Sequence, residues 1–137
     1  MQTCHFTENW ELGMNVNFDS VRTLLDKAKK YRNAPSSSAI RFIFTSSTAT
    51  YGQPLPSTVT PTTACFPAGA YGFAKLLGEY FVSEYTRKDY IEGISCKLPT
   101  IVVRPGPPSR ATSAFVSGII REPLHGEEAV CPIGTGV

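Results

Sequence analysis

The chain has 137 residues, 42% of them hydrophobic and 18% charged, and a net charge of +2 at neutral pH. This size and composition are typical of one modest domain, or part of one, and so weak a charge without a dense basic stripe argues against nucleic acid as a partner. No apolar run approaches the ~18 residues that span a bilayer, and no leader-type pattern opens the chain, so we expect a cytoplasmic protein with no membrane partner. The two histidines and four cysteines are too widely spaced to indicate a metal site.

The first half of the chain predicts a helix, a strand and a long loop. Apolar residues recur near the helical period over residues 15–30. An apolar, β-rich run over 40–44 predicts a buried strand. Residues 53–69 are rich in proline and threonine and have little periodicity, so they predict a loop of a length that is often functional.

The second half repeats the alternation of helix and strand. Helical spacing returns over residues 70–87, and a strand-like apolar run follows over 94–103. A further helix over 113–121 is expected to end before Pro123, because the residue ahead of a proline disfavours the helical conformation. The order helix, strand, helix, strand is typical of an α/β fold in which helices cover a parallel sheet.

Three residues of this pattern indicate redox chemistry. Tyr71 and Lys75 are four positions apart and share one face of the predicted helix. Ser47 follows the first predicted strand, at the end of a parallel sheet that usually presents catalytic hydroxyls. A free tyrosine titrates near ~10, so use of its phenolate at neutral pH requires roughly 4 kcal/mol of stabilisation, which an adjacent ammonium group helps to supply. The set predicts that serine positions a substrate oxygen, tyrosine transfers its proton and lysine tunes the tyrosine.

The same residues have a plainer interpretation. Tyrosine and lysine occur at this spacing by chance on many helices, so the pair by itself is weak evidence of a site. Ser47 strengthens the functional interpretation because it adds an independent constraint from a different element. The neighbouring hydroxyls of Thr45, Ser46 and Thr48 are expected only to satisfy backbone groups at the strand end.

These residues also carry a family resemblance. The segments FIFTSSTATYG over 42–52 and YGFAK over 71–75, with Glu79 after them, resemble the extended short-chain dehydrogenase/reductase superfamily, the group of nucleotide-sugar epimerases and dehydratases. Residues 97–106 and 117–132 are more narrowly similar to its D-erythronate dehydrogenase-like branch. The resemblance covers nearly the whole chain from about Glu11 onward.

The resemblance implies an activity and a cofactor. It implies a partial Rossmann-like, doubly wound parallel sheet and a catalytic set of Ser47, Tyr71 and Lys75. Ser47 would also hold the substrate, while Tyr71 and Lys75 would also contact the cofactor. That cofactor would be NAD or NADP, with NAD favoured, and the reaction would oxidise a secondary alcohol of a small sugar acid.

Other positions are carried over from the family with open alternatives. Asn17 matches an asparagine near the active site and the cofactor, although it is equally well interpreted as a polar residue at a helix start. Arginine suits an acid substrate because its forked donors match a carboxylate. The residues implied to pack against the nicotinamide are Leu98, Pro99 and Thr100, and those implied to meet the substrate, each also open to interpretation as a surface or fold residue, are Arg104, Ser117 and Arg121.

The chain departs from the family pattern where the phosphates of the cofactor would bind. Nowhere among its eleven glycines is there a Gly-rich turn between a strand and a helix. We therefore expect residues 1–110 to be the central and carboxyl-terminal part of a cofactor-binding domain, and 111–137 to begin a substrate-binding region. By itself this chain is expected to bind the cofactor weakly or not at all.

Several functions stay open on the sequence alone. The first is an NAD(P)-dependent dehydrogenase, and the alternatives are a nucleotide-sugar epimerase or dehydratase and a catalytically inactive segment that acts as a dimerisation module. The resemblance implies a homodimer through the helices near residues 17–30 and 71–87.

Overall fold

The computed structural model describes residues 9–35, 38–103, 105 and 112–131. They belong to two compact units, Gln2–Pro99 and Thr100–Val137. The elements of the first unit are α1 (Trp10–Met14), a π-helical segment (Asn15–Asp19), α2 (Ser20–Arg32), β1 (Ile40–Ser47), a 3₁₀ turn (Thr48–Thr50), α3 (Ala70–Arg87) and β2 (Ile91–Leu98). In the second unit a 3₁₀ turn (Thr112–Ala114) leads into α4 (Phe115–Leu124).

The two strands are parallel, and α3 connects them. Their register runs from Ile40 opposite Ile91 to Ser47 opposite Leu98. Parallel strands require such a crossover connection, here a long loop followed by a helix of 18 residues. The parallel, helix-covered sheet that the sequence predicts is therefore confirmed, and both strands end at the same edge.

One face of the sheet carries the core of the first unit. Leu25 of α2 and Val82 of α3 pack with Phe44 and Ile91, which point to the same face of the sheet. Gly78 lets α3 approach closely, because a Cβ at that position would lie 2.6 Å from Cζ of Phe44. α3 thus packs against β1 at a distance that a larger residue at position 78 would prevent.

The opposite face of the sheet is open within the described part of the chain. Ile43 and Ile94 are register partners on this face, and they are 63% and 58% exposed. Among the described helices, none has both the length and the apolar character needed to cross a bilayer.

The element boundaries differ from the predicted ones for local and tertiary reasons. The first helix begins at Trp10 rather than near residue 15, because Asn9 caps it by accepting a hydrogen bond from the backbone N–H of Leu12 at 3.0 Å. The second strand begins at Ile91, which is buried in the core, and ends at Leu98 because the next residue, Pro99, has no N–H to donate to a ladder. β1 extends beyond 40–44 to Ser47.

The last helix is also longer than predicted. It was expected to end near residue 121, before Pro123, yet α4 runs from Phe115 to Leu124 and includes that proline. Pro123 lies in the final turn, where only one backbone hydrogen bond is lost, so the helix tolerates it.

A tyrosine on α3 joins this helix to α2. The hydroxyl of Tyr85 donates a hydrogen bond of 2.6 Å to Oδ1 of Asp26. This bond to the carboxylate, together with burial, raises the pKa of Tyr85 to about 12. The folded state therefore holds the phenolic proton more tightly than the unfolded state, and the stabilisation is present below pH ~10 and lost as the pH rises toward 12.

We expect Tyr85→Phe to lower the free energy of unfolding by about 0.5–1 kcal/mol at pH 8, since the hydrogen bond is solvent-exposed. The loss should be smaller at pH 11, because the phenol of the unfolded wild-type chain is then largely ionised while the folded state still holds its proton. Urea unfolding at the two pH values measures this, with the exposed Tyr31→Phe as control. An equal loss for Tyr85→Phe at both pH values contradicts the expectation.

Candidate active site

The end of β1 presents a serine whose hydroxyl is oriented by the next turn. Ser47 has an extended backbone, and its Oγ accepts a hydrogen bond of 3.1 Å from the N–H of Ala49, capping the 3₁₀ turn. The hydroxyl of Thr50 donates to the carbonyl oxygen of Ser47 at 2.9 Å. Because Oγ of Ser47 acts as an acceptor within the turn, its own proton is available to donate to a ligand.

Tyr71 reaches this serine from the first turn of α3. The approach depends on Gly72, where a Cβ would lie 2.2 Å from the carbonyl oxygen of Ala49. Burial raises the pKa of the Tyr71 phenol, and a hydrogen bond with the Ser47 side chain lowers it by less, so that its pKa stays above the ordinary value. The phenol is therefore protonated at neutral pH.

Lys75 lies one helical turn after Tyr71 and is buried. Its Nζ donates a hydrogen bond of 3.0 Å to the carbonyl oxygen of Thr45 and lies 5.7 Å from the centre of the Tyr71 ring. Burial lowers the pKa of Lys75, because the charged form is partly desolvated. The structure thus brings Ser47, Tyr71 and Lys75 together at one edge of the sheet.

Asn17 lies in the middle of a helical run, within the π-helical segment Asn15–Asp19. Its Nδ2 donates to the carbonyl oxygen of Gly13 at 2.9 Å, while its Oδ1 is buried and has no partner in the described part of the chain. Interpretation of Asn17 as a helix-start residue is therefore wrong, since the helix starts at Trp10. The segment packs on α3, where the rings of Phe18 and Phe81 meet edge to face at 5.1 Å.

The predicted nicotinamide segment lies at the end of β2. Leu98 is the last residue of the strand, in register with Ser47, and is 38% exposed. Pro99 is exposed directly after it. Thr100 is exposed as well and belongs to the second unit.

The residues predicted to meet an acid substrate lie in the second unit or outside the described residues. Ser117 is buried in α4. Nη2 of Arg121 lies 2.5 Å from Oε1 of Glu122. Arg104 falls outside the residues that the structure describes.

An ion pair between α3 and β2 was not predicted. Nζ of Lys97, on β2, lies 2.6 Å from Oε2 of Glu79 on α3. Burial by itself lowers the pKa of Lys97, but the Glu79 carboxylate more than offsets this, and the pKa is raised. The sequence does hold a signal for this pair, because Glu79 is four residues beyond Lys75 and so continues the stripe of Tyr71 and Lys75.

Within the ranges that the structure describes, no three histidine, cysteine, aspartate or glutamate side chains are grouped as metal ligands would be.

Comparisons with known proteins show what the chain is similar to. Residues 5–136 match the NAD dependent epimerase/dehydratase family. The chain is 45% identical over 129 residues to a D-erythronate dehydrogenase from Haemophilus influenzae, and 46% identical over 125 residues to one from Cupriavidus necator. These alignments cover 94% and 91% of this chain.

A solved structure is similar as well. The crystal structure of a nucleoside-diphosphate-sugar epimerase from Agrobacterium tumefaciens superimposes with a TM-score of 0.86 at 37% identity, and the match covers 96% of this chain and 38% of that one. The two dehydrogenases are covered to 39% and 37% of their lengths. The chain therefore spans about two fifths of the length of these relatives. The structural similarity also confirms the predicted α/β fold class.

Proposed function

Because the chain belongs to the NAD dependent epimerase/dehydratase family, we propose that it supplies the proton-transfer residues of an NAD(P)-dependent dehydrogenase acting on a small sugar acid. The observation that carries the proposal is the meeting of Ser47, Tyr71 and Lys75 at the carboxyl end of β1. The two relatives named D-erythronate dehydrogenase support the substrate class.

The residues present suit the nicotinamide and ribose end of such a cofactor. The ammonium group of Lys75 has three donors, of which one is used on Thr45, and the Tyr71 hydroxyl lies one turn away. Leu98 and Pro99 offer an exposed apolar strand end to a flat ring. The buried, unpartnered Oδ1 of Asn17 offers an acceptor to a water molecule or another donor near the site.

Each catalytic residue has a separate part in alcohol oxidation. When bound, NAD supplies the hydride acceptor. Ser47 donates a hydrogen bond to the substrate oxygen and orients it toward the phenol. Tyr71 takes the hydroxyl proton of the substrate, and the nearby ammonium of Lys75 stabilises the phenolate that this requires.

The substrate acid group is assigned to arginine in this proposal. Arg121, beside buried Ser117 on α4, has the forked donors that suit a carboxylate, and Arg104 is proposed for the same role by family resemblance.

The ionisation of Tyr71, whose pKa is raised, predicts how the rates of oxidation and reduction depend on pH. Alcohol oxidation needs the deprotonated phenol and ketone reduction the protonated one. We therefore expect kcat/KM for oxidation to rise with pH through the pKa of Tyr71, and kcat/KM for reduction to fall over the same range. Steady-state rates in both directions, in the active protein that contains this chain, test this. A pH-independent oxidation rate between pH 7 and about 10 contradicts the assignment.

A nucleotide-sugar epimerase is the second candidate, favoured by the 37% identity to the Agrobacterium tumefaciens epimerase. Product analysis separates the two: net formation of reduced cofactor supports a dehydrogenase, and stereochemical inversion without it supports an epimerase.

We also propose that the helices near residues 17–30 and 71–87 form a homodimer contact. Exposed apolar side chains on or beside them support this: Leu24 is 55% exposed, Tyr80 62% and Phe73 40%, with Trp10 stacked on the last. This contact would also serve a dimerisation module without catalysis. Sedimentation over a range of protein concentrations is expected to give a dimer, and a monomer throughout contradicts it.

A further inference from the structure

We propose that Glu79 and Lys97 are positioning residues: their ion pair holds α3 in register with the end of β1, and so sets Tyr71 against Ser47. The inference rests on the proposed function of the serine, tyrosine and lysine set.

One stripe of α3 pairs with successive residues of β1. Tyr71, Lys75 and Glu79 follow one another at intervals of four residues, which places them on one side of the helix. Tyr71 lies beside Ser47, whose side chain lowers the pKa of its phenol, and Nζ of Lys75 donates a hydrogen bond to the carbonyl oxygen of Thr45.

Glu79 completes this stripe. It accepts a short hydrogen bond from the hydroxyl of Ser46, the residue between Thr45 and Ser47. Lys75 and Glu79 therefore hold two consecutive residues of the strand end, Thr45 and Ser46, and Tyr71 lies beside the next residue, Ser47.

Lys97 ties the same strand end to β2. It stands opposite Ser46 in the register of the sheet, and its Nζ donates to both carboxylate oxygens of Glu79, at 2.7 and 2.6 Å. The same Nζ donates to the hydroxyl of Thr50 at 2.8 Å, and that hydroxyl donates to the carbonyl oxygen of Ser47 at 2.9 Å. Lys97 thus reaches Ser47 through Thr50 and reaches Tyr71 through Glu79 and the helix.

The physical case for positioning is that this pair is an inefficient way to gain stability. Its side chains are only 24% and 15% exposed, so both charges lose hydration, and a well-packed apolar pair would stabilise the fold as well. A charged pair differs from an apolar one in being directional, because each hydrogen bond specifies where the helix stands along the strand. Slippage of α3 would break the bonds of Glu79 to Ser46 and to Lys97 together.

The titration of Tyr71 reports this geometry without requiring catalysis. The absorbance change of the phenol between pH 8 and 13 is recorded and the curve of Tyr71→Phe is subtracted, which isolates one of the six tyrosines. Release of Tyr71 from its site removes the effect of burial and that of Ser47, and because burial is the larger, the midpoint falls toward the ordinary value.

Two variants that remove charges of opposite sign distinguish positioning of Tyr71 from a long-range electrostatic effect on its pKa. Glu79→Gln removes a negative charge and Lys97→Met a positive one. If the pair positions Tyr71, both raise its acid dissociation constant, by about two-fold or more. If the pair acts only through its charges, Lys97→Met lowers that constant, and this result overturns the proposal.

Control variants test whether the effect is local. Glu84→Gln breaks an exposed ion pair with Arg87 on the same helix and should leave the titration unchanged. Leu25→Ala weakens the core that α2 and α3 form with the sheet, without removing a contact of Glu79 or Lys97, and should also leave the titration unchanged. A shift in Leu25→Ala as large as in Glu79→Gln means general loosening and overturns the proposal. Should Glu79→Gln not fold, Thr50→Val, which removes the hydroxyl that joins Lys97 to Ser47, takes its place with the same expected shift.

Kinetics separate this inference from the proposed function. In the active protein, both variants are expected to lower kcat about ten-fold while the KM for the cofactor stays within about two-fold. Unchanged kcat in both variants overturns positioning. If the unsubstituted protein has no dehydrogenase turnover, the proposed function fails, and the titration alone decides whether Glu79 and Lys97 position Tyr71.

Discussion

Replacing Tyr71 by phenylalanine is expected to lower turnover by about 10²–10⁴-fold, while the affinity for the cofactor changes by no more than about two-fold. The reason is that the phenol is the group proposed to exchange a proton with the substrate, and general acid–base catalysis is typically worth that factor. The ring itself stays in place, so the packing around Lys75 and Phe44 is retained. The measurement is steady-state kinetics with a separate cofactor titration, in the active protein that contains this chain.

A matched control lies on the same helix. Tyr80 is 62% exposed, and Tyr80→Phe removes a hydroxyl of the same kind far from Ser47 along α3. It should leave turnover within about two-fold, since a surface substitution of this kind changes little. Retained turnover in Tyr71→Phe would remove Tyr71 from the proton-transfer role and leave the dimerisation module as the better-supported proposal.

The substitution Gly72→Ala is expected to have the largest effect on stability for its size. The added methyl group would lie 2.2 Å from the carbonyl oxygen of Ala49, a backbone atom that cannot rotate away. We expect a loss of about 1–3 kcal/mol in the free energy of unfolding, which outweighs the roughly 1 kcal/mol that alanine gains over glycine within a helix. Since the strain falls between Tyr71 and the turn after Ser47, turnover should fall with it.

Gly69→Ala provides the comparison. Gly69 caps α3, and a Cβ there meets no atom within 4 Å. This variant should change the free energy of unfolding by less than about 0.5 kcal/mol. Chemical denaturation of both variants, at one pH, decides the matter, and equal stability of Gly72→Ala and the unsubstituted protein would contradict the close approach of α3 to the turn.

The sequence by itself determined the features that depend on local periodicity. The helix predicted over 70–87 is observed as Ala70–Arg87, and the two strands are parallel. The position of Ser47 at a strand end follows from where the apolar run stops, and the shared face of Tyr71 and Lys75 follows from helix geometry. These properties follow from the local pattern of residues, so they can be predicted from the sequence without a structure.

Only the tertiary structure decided the contacts and pKa shifts that arise between groups distant in sequence. The ion pair of Glu79 and Lys97 depends on the register of two strands, and the space beside Gly72 depends on where a turn more than twenty residues earlier packs. The direction in which the pKa of Tyr71 shifts likewise depends on burial by the assembled site, which outweighs the opposing effect of the Ser47 side chain. Burial, register and close approach arise from packing between elements, which the local pattern of residues does not encode.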